Sequence, residues 1–60
     1  MKVGDLVRII QTDQMRERYL LGKLAIVIVV VTWSVDVRVI EGGMKPRIAK
    51  EDCEVISESR

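Results

Sequence analysis

Few side chains in this sequence could carry out chemistry. The 60 residues include no His and one Cys, Cys53. A Ser–His or Cys–His nucleophile needs a His, and a zinc site needs about four Cys or His ligands. Four acidic residues could be considered as a cation site, but they lack the spacing of a calcium-binding loop; they are Asp5, Glu51, Asp52 and Glu54. The sequence therefore predicts a protein that is not an enzyme and has no metal, cofactor or small-molecule substrate.

Basic side chains in the second half of the chain could bind phosphate. The segment 34–40 alternates between valines and polar residues, which is typical of a strand with one solvated face. A hairpin with the next strand places Arg38 opposite Arg47 on that face. Two arginines in this position repel each other slightly, which suggests that an anion lies between them. A solvated face without a ligand is the alternative.

Trp33 lies between the second and third predicted strands. At the tip of a hairpin it could stack on a nucleobase or dock in a partner. Alternatively, it packs over the mouth of a small barrel. With the basic face, it completes the predicted nucleic-acid-binding residues: Trp33, Arg38, Lys45, Arg47 and Lys50.

The net charge of +1 gives no general argument for nucleic acid, but the charge is uneven along the chain. Residues 1–50 hold nine Lys or Arg and five Asp or Glu, whereas residues 51–60 hold one Arg and four acids. A basic body and an acidic tail could match across a subunit interface.

Five strands and one short helix or compact loop must position these residues. The β-branched content, turn residues and alternation predict strands over 6–11, 23–32, 34–40, 45–49 and 53–57, with a tight turn at 50–52. Thr12 or Asp13 can cap a helix within 13–21. In the 34–49 hairpin, a four-residue loop over 41–44 pairs Val37 with Ile48 and Val39 with Pro46. We expect Val37, Val39 and Ile48 in the core, with Val7 or its neighbours and part of 24–30.

The second predicted strand contains six consecutive β-branched residues, which are apolar on both faces. Such a strand either bends to serve two sides of a barrel or is covered by another subunit. As a bare edge it would pair with other chains. We therefore expect a homo-oligomer, a ring more than a dimer. Its predicted interface residues are Ile26, Val27, Ile28, Val29, Val30 and Val31.

Four segments carry a resemblance to known proteins: VGDLVRI (3–9), GKLAIVIVV (22–30), VDVRVIEGG (35–43) and RIAKEDCEVIS (47–57). They resemble the small SH3-like barrels of tailed phages, including cyanophages, and 22–29 is similar to the KOW element. Ala25 and Cys53 depart from the pattern, which has Gly and Leu there. The resemblance implies an all-β, five-stranded antiparallel SH3-like or Sm-like barrel, and Sm-like barrels bind RNA as rings.

These observations predict a nucleic-acid-binding homo-oligomer whose ligand is RNA or single-stranded DNA. The alternative is a protein-interaction or assembly module of a phage or bacterial complex. The longest apolar run, 24–31, is too short to span a membrane as a helix, and no signal peptide is evident. We expect one domain over 1–60, frayed at 58–60, in the cytoplasm, which is the bacterial host's if the protein is phage-encoded.

Overall fold

The computed structural model describes residues 1–11 and 15–59, and it confirms the predicted all-β fold class. Thr12 and Asp13, predicted to cap a helix, lie outside the described residues. The short helix expected nearby is a 3₁₀ helix over Met15–Leu20, and a second 3₁₀ helix spans Lys50–Asp52. The strands are β1 (Leu6–Ile9), β2 (Leu24–Val30), β3 (Ser34–Val39), β4 (Arg47–Ala49) and β5 (Cys53–Ser57).

The five strands form one antiparallel sheet in the order β4-β3-β2-β1-β5. Its two edges, β4 and β5, are joined by only three residues, Lys50–Asp52. Four Cα–Cα steps from Ala49 to Cys53 span at most about 15 Å. In a flat sheet the outer two of five strands would lie about 19 Å apart. The sheet must therefore curl, which gives a small five-stranded barrel with its core on the inner face.

The inner face carries the hydrophobic core. Val37, Val39, Ile48 and Val7 are buried, as predicted. Leu20 joins them from the first 3₁₀ helix. Burying side chains of this kind contributes about 1.5–3 kcal/mol each, which is the main favourable term in a domain of this size. The buried apolar residues are Val7, Ile9, Leu20, Ala25, Val27, Val35, Val37, Val39, Ile48 and Cys53.

Strand β2 is the central strand of the sheet, paired with β1 on one side and β3 on the other. It is therefore not a bare edge, and the argument for oligomerisation from an unpaired edge does not apply. Val27 is fully buried in the core and cannot contribute to an oligomer interface, which corrects that assignment. The register shifts between Val27 and Val29, so Ile28 is an extra residue in β2. This bulge places Val30 opposite Val35, although Val30 itself remains 36% exposed.

The β3–β4 hairpin has the predicted faces but a different register. Val35, and not Val37, lies opposite Ile48, and Asp36 lies opposite Arg47. The predicted Arg38–Arg47 pair is therefore wrong. Because the displacement is two residues, inward and outward positions are preserved.

Backbone hydrogen bonds fix this register. The N–H of Val39 donates to the carbonyl of Met44 at 2.7 Å, which closes a four-residue loop over 40–43 and not over 41–44. Gly42 and Gly43, the last two residues of this loop, have φ values of +88° and +70°, which favour glycine. The N–H of Val37 donates to the carbonyl of Pro46 at 3.1 Å. Pro46 therefore lies at a hydrogen-bonded site, and its ring cannot return the bond.

The two ends of the described chain meet at Asp5, which is 1% exposed. The backbone N–H of Ser59 donates to Oδ1 of Asp5 at 2.7 Å, and that of Lys2 donates to Oδ2 at 2.9 Å. Gly4 has φ +94°, and a Cβ there would lie 2.8 Å from Oγ of Ser59. Fraying was expected over 58–60, but Ser59 is held in place; Arg60 lies outside the described residues.

Candidate interaction surfaces

The outer face of β2 and β3 exposes apolar side chains. Ala25 and Val27 point into the core, and so the alternate residues of β2 point outward. A groove of about 300 Å³ on this face is lined by Ile26, Ile28, Arg38 and Ile40. A hollow at its end, about 250 Å³, is lined by Gly22, Leu24, Ile40 and Glu41.

This apolar surface extends onto β1, because half-buried Leu6 lies opposite Ile26. Ile40 is 59% exposed, and Leu24 and Ile28 are each 37% exposed. Exposed apolar side chains that are scattered singly are common on protein surfaces. A contiguous group of them on one face, surrounded by charged residues, indicates an interaction site. Leu24 was not predicted as part of such a site, although its alternation with Ala25 is a signal that could have identified it.

Two cations border the groove on the β3–β4 side. Continued through the Val37–Pro46 and Val39–Met44 bonds, the hairpin register places Lys45 across from Arg38. Both side chains are exposed, and within the described residues neither forms an ion pair. These are the two predicted phosphate-binding residues that the structure brings together.

Arg47, unlike Arg38 and Lys45, forms an ion pair within the described residues. Its Nε lies 2.8 Å from Oδ1 of Asp36, directly across the hairpin. The hydrogen bond from Arg47 lowers the pKa of Asp36, and the same bond raises the pKa of Arg47. The charge of Arg47 is thus largely compensated within the chain, and the predicted anion between Arg38 and Arg47 has no basis in this register.

The opposite border of the face, at β1 and β5, carries an ion pair. Glu54 lies 3.7 Å from Arg8, whereas exposed Glu58 has no ion pair within the described residues. Nearer the loop, Nζ of Lys23 lies 2.8 Å from Glu41 and lowers the pKa of that carboxyl group. The outer face is therefore basic at β3–β4 and apolar over β2, and it carries the mutually compensating Arg8–Glu54 pair at its β1–β5 border.

Trp33 lies at the tip of the β2–β3 hairpin and is 85% exposed. The tip position is thus observed, and the alternative of packing over the barrel mouth is excluded. The N–H of Lys50 donates to the carbonyl of Trp33 at 3.1 Å, so these two predicted residues are neighbours. Arg38 lies five residues further along β3, about 17 Å away. The predicted nucleic-acid-binding residues thus form two separate groups.

Cys53 is buried, as predicted for an apolar-alternating segment. Its Sγ lies 3.6 Å from the carbonyl oxygen of Lys50, and burial raises the pKa of the thiol. Among the described residues no group of three or more His, Cys, Asp or Glu could hold a metal ion. None of the helices there is long and apolar enough to cross a membrane.

Comparison with known proteins gives no match to a family model, to a curated protein or to a solved structure. The function must therefore be inferred from the surface chemistry of this chain.

Proposed function

We propose that the protein is a non-enzymatic assembly module that acts as a homo-oligomer. The observation that carries this proposal is the apolar outer face of β2 and β3, around the groove of Ile26, Ile28, Arg38 and Ile40. Among the described residues the barrel already buries ten apolar side chains in its core, so these outer side chains are not needed there. Removing them from water favours association by about 25 cal/mol per Å².

Light scattering at micromolar concentrations tests the proposal. We expect a mass that is a multiple of 6.8 kDa. The variant Ile28→Lys places a charge in the groove and should give the single-chain mass. Val3→Lys is the matched control, because Val3 is 58% exposed in the N-terminal turn, outside the strands. A wild-type protein that stays at 6.8 kDa contradicts the proposal.

The proposed setting is a phage or bacterial complex in the cytoplasm. The resemblance to small phage barrels supports the first part, and a single buried thiol without a disulfide fits a reducing compartment. Co-purification of the chain with other structural proteins from the producing cell tests this setting. Recovery of the chain alone contradicts it.

Nucleic-acid binding is the second candidate, and the exposed Trp33 beside Lys50 favours it. The net charge of +1 and the pairing of Arg47 with Asp36 weigh against it. Anisotropy of labelled RNA and single-stranded DNA over a salt series tests this candidate. Phosphate contacts lower log K by about 0.7 per contact per decade of salt on single strands. Binding with that slope, lost in Trp33→Ala and in Lys50→Ala, establishes it, whereas no binding at low salt removes it.

A further inference from the structure

We propose that the groove on the outer face binds the acidic edge of a second copy, that is, residues 54–58 along β5 and just after it. This inference rests on the proposed homo-oligomer and specifies which surface of the second copy fills the groove. The chains then associate head to tail, since each copy uses two different patches.

The groove carries positive charge that the chain does not compensate. Arg38 lines it and Lys45 lies across from Arg38, and neither forms an ion pair within the described residues. The carboxylates of Asp36 and Glu41, on β3 and in the loop after it, are already held in other ion pairs. An occupant that is both apolar and acidic therefore complements the groove.

The acidic edge has this chemistry. Among the described residues β5 is an edge strand, paired only with β1, and residues 54–58 are all exposed. Val55 and Ile56 are apolar and 37% and 44% exposed. Glu58, within about 7 Å of Ile56 along the chain, has no ion pair in the described part of the chain. Exposed apolar side chains on a strand edge favour contact with another chain.

A bulge in β5 adds to the exposure of Ile56. Val55 lies opposite Val7 and Ser57 lies opposite Leu6, so that Ile56 is an extra residue without a partner on β1. Such a residue interrupts the regular ladder, and bulges commonly redirect side chains. Ile56 is thus an apolar side chain that the pairing of β1 and β5 does not require.

Within one chain the groove and the acidic edge cannot meet. Strands β2 and β1 lie between β3, which carries Arg38, and β5. Three strand spacings amount to about 14 Å along the sheet. The contact must therefore form between two copies.

The charges favour this contact over groove on groove. Packing two grooves together offers Arg38 and Lys45 no unpaired carboxylate, whereas the acidic edge brings the partner's Glu58 to them. After the first contact, one copy keeps a free groove and the other a free edge. The association therefore continues beyond two copies.

Two complementary variants test the contact. Ile28→Lys blocks the groove and keeps the edge, whereas Ile56→Lys disrupts the edge and keeps the groove. In sedimentation equilibrium each variant alone should have the single-chain mass of 6.8 kDa. Their equimolar mixture should form a species of two chains, because one intact groove and one intact edge remain. A chain with both substitutions is the matched control and should bind neither variant.

Charge reversal in the same mixture tests the ionic part of the contact. Arg38→Glu in the chain with the intact groove and Glu58→Lys in the chain with the intact edge should each raise the dissociation constant about tenfold. Both together should restore most of the affinity. Glu51→Lys is the matched control, because Glu51 is exposed in the second 3₁₀ helix, outside the acidic edge. Far-UV circular dichroism verifies folding, and Glu58→Lys replaces Ile56→Lys as the edge variant if the latter unfolds.

The outcomes separate the two proposals. A wild-type chain that remains monomeric at all concentrations overturns both the homo-oligomer and this contact. A wild-type oligomer whose two folded variants do not associate on mixing, or that persists when the edge is disrupted, overturns the head-to-tail contact alone. A wild-type mass that stops at twice 6.8 kDa also contradicts this contact and keeps the homo-oligomer.

Discussion

Asp36 and Arg47 face each other across β3 and β4, with Nε of Arg47 2.8 Å from Oδ1 of Asp36. This cross-strand pair lies in the register that the hairpin adopts. It also decides which cations remain available on the outer face, because it satisfies Arg47 and leaves Arg38 and Lys45 without an ion pair within the described residues.

Reversing one charge of this pair should destabilise the hairpin. Asp36→Arg and Arg47→Asp each place like charges directly opposite one another, which lowers the melting temperature by roughly a few degrees. The double variant restores the attraction in the opposite orientation and should recover most of the loss. Thermal unfolding followed by far-UV circular dichroism measures the effect, which salt should weaken. Single variants that melt like the wild type would show that the pair does not contribute to the register.

Val37 supports a sharper prediction about the faces of β3. It is fully buried, so Val37→Asp leaves an unpaired charge in the core at a cost of several kcal/mol. A 60-residue domain has a total stability of about 3–9 kcal/mol, and we expect this variant to be unfolded. Val31→Asp is the matched control, because Val31 is 38% exposed and the variant should fold. A folded Val37→Asp protein contradicts the observed orientation.

Strand faces could be predicted from the sequence, whereas registers could not. Alternation places Val37 inside and Arg38 outside in any register that preserves parity. The two-residue displacement of the hairpin depends on which residues form the loop, and that is decided by backbone conformation at Gly42 and Gly43. Alternation contains no information on this choice.

The other differences have similar physical origins. The bulge at Ile28 is invisible in the sequence because every residue around it is apolar and β-branched. The role of Asp5 depends on Ser59, which lies 54 positions away in the chain, so local turn signals could not reveal it. The groove on the outer face combines residues of β2 with residues at the end of β3. The register between these two strands could not be predicted from the sequence, and so neither could the groove.

Cys53 should react slowly with thiol reagents. Only the thiolate reacts, and burial both raises the pKa of this thiol and blocks access to it. At pH 8 we expect labelling at least about tenfold slower than in the urea-unfolded chain. A Thr32→Cys, Cys53→Ser variant provides an exposed thiol at the hairpin tip as a control and should label quickly. Equal rates for native and unfolded wild type would contradict the buried position.

The contact between Asp5 and Ser59 should make the stability of the fold depend on pH. The N–H of Ser59, and then that of Lys2 with its ammonium charge, hold the pKa of Asp5 below its ordinary value of 3.8, although burial opposes them. Because the folded-state pKa is the lower one, this carboxylate stabilises the fold above the unfolded pKa. That contribution is lost as the pH falls through the folded pKa.

Asp5→Asn isolates this effect, because the amide does not titrate and accepts hydrogen bonds more weakly than a carboxylate. We expect the variant to melt below the wild type at pH 7, and the two melting temperatures to converge as the pH falls below the ordinary pKa of 3.8 and through the lower pKa of folded Asp5. Asp36 and Glu41, whose pKa values are also lowered, are present in both proteins and cancel in the difference. Far-UV circular dichroism is the appropriate probe, since Trp33 is already 85% exposed in the folded state and its fluorescence would change little on unfolding. A difference in melting temperature that stays constant from pH 7 to pH 2 would mean that the charge on Asp5 does not hold the two ends of the chain together.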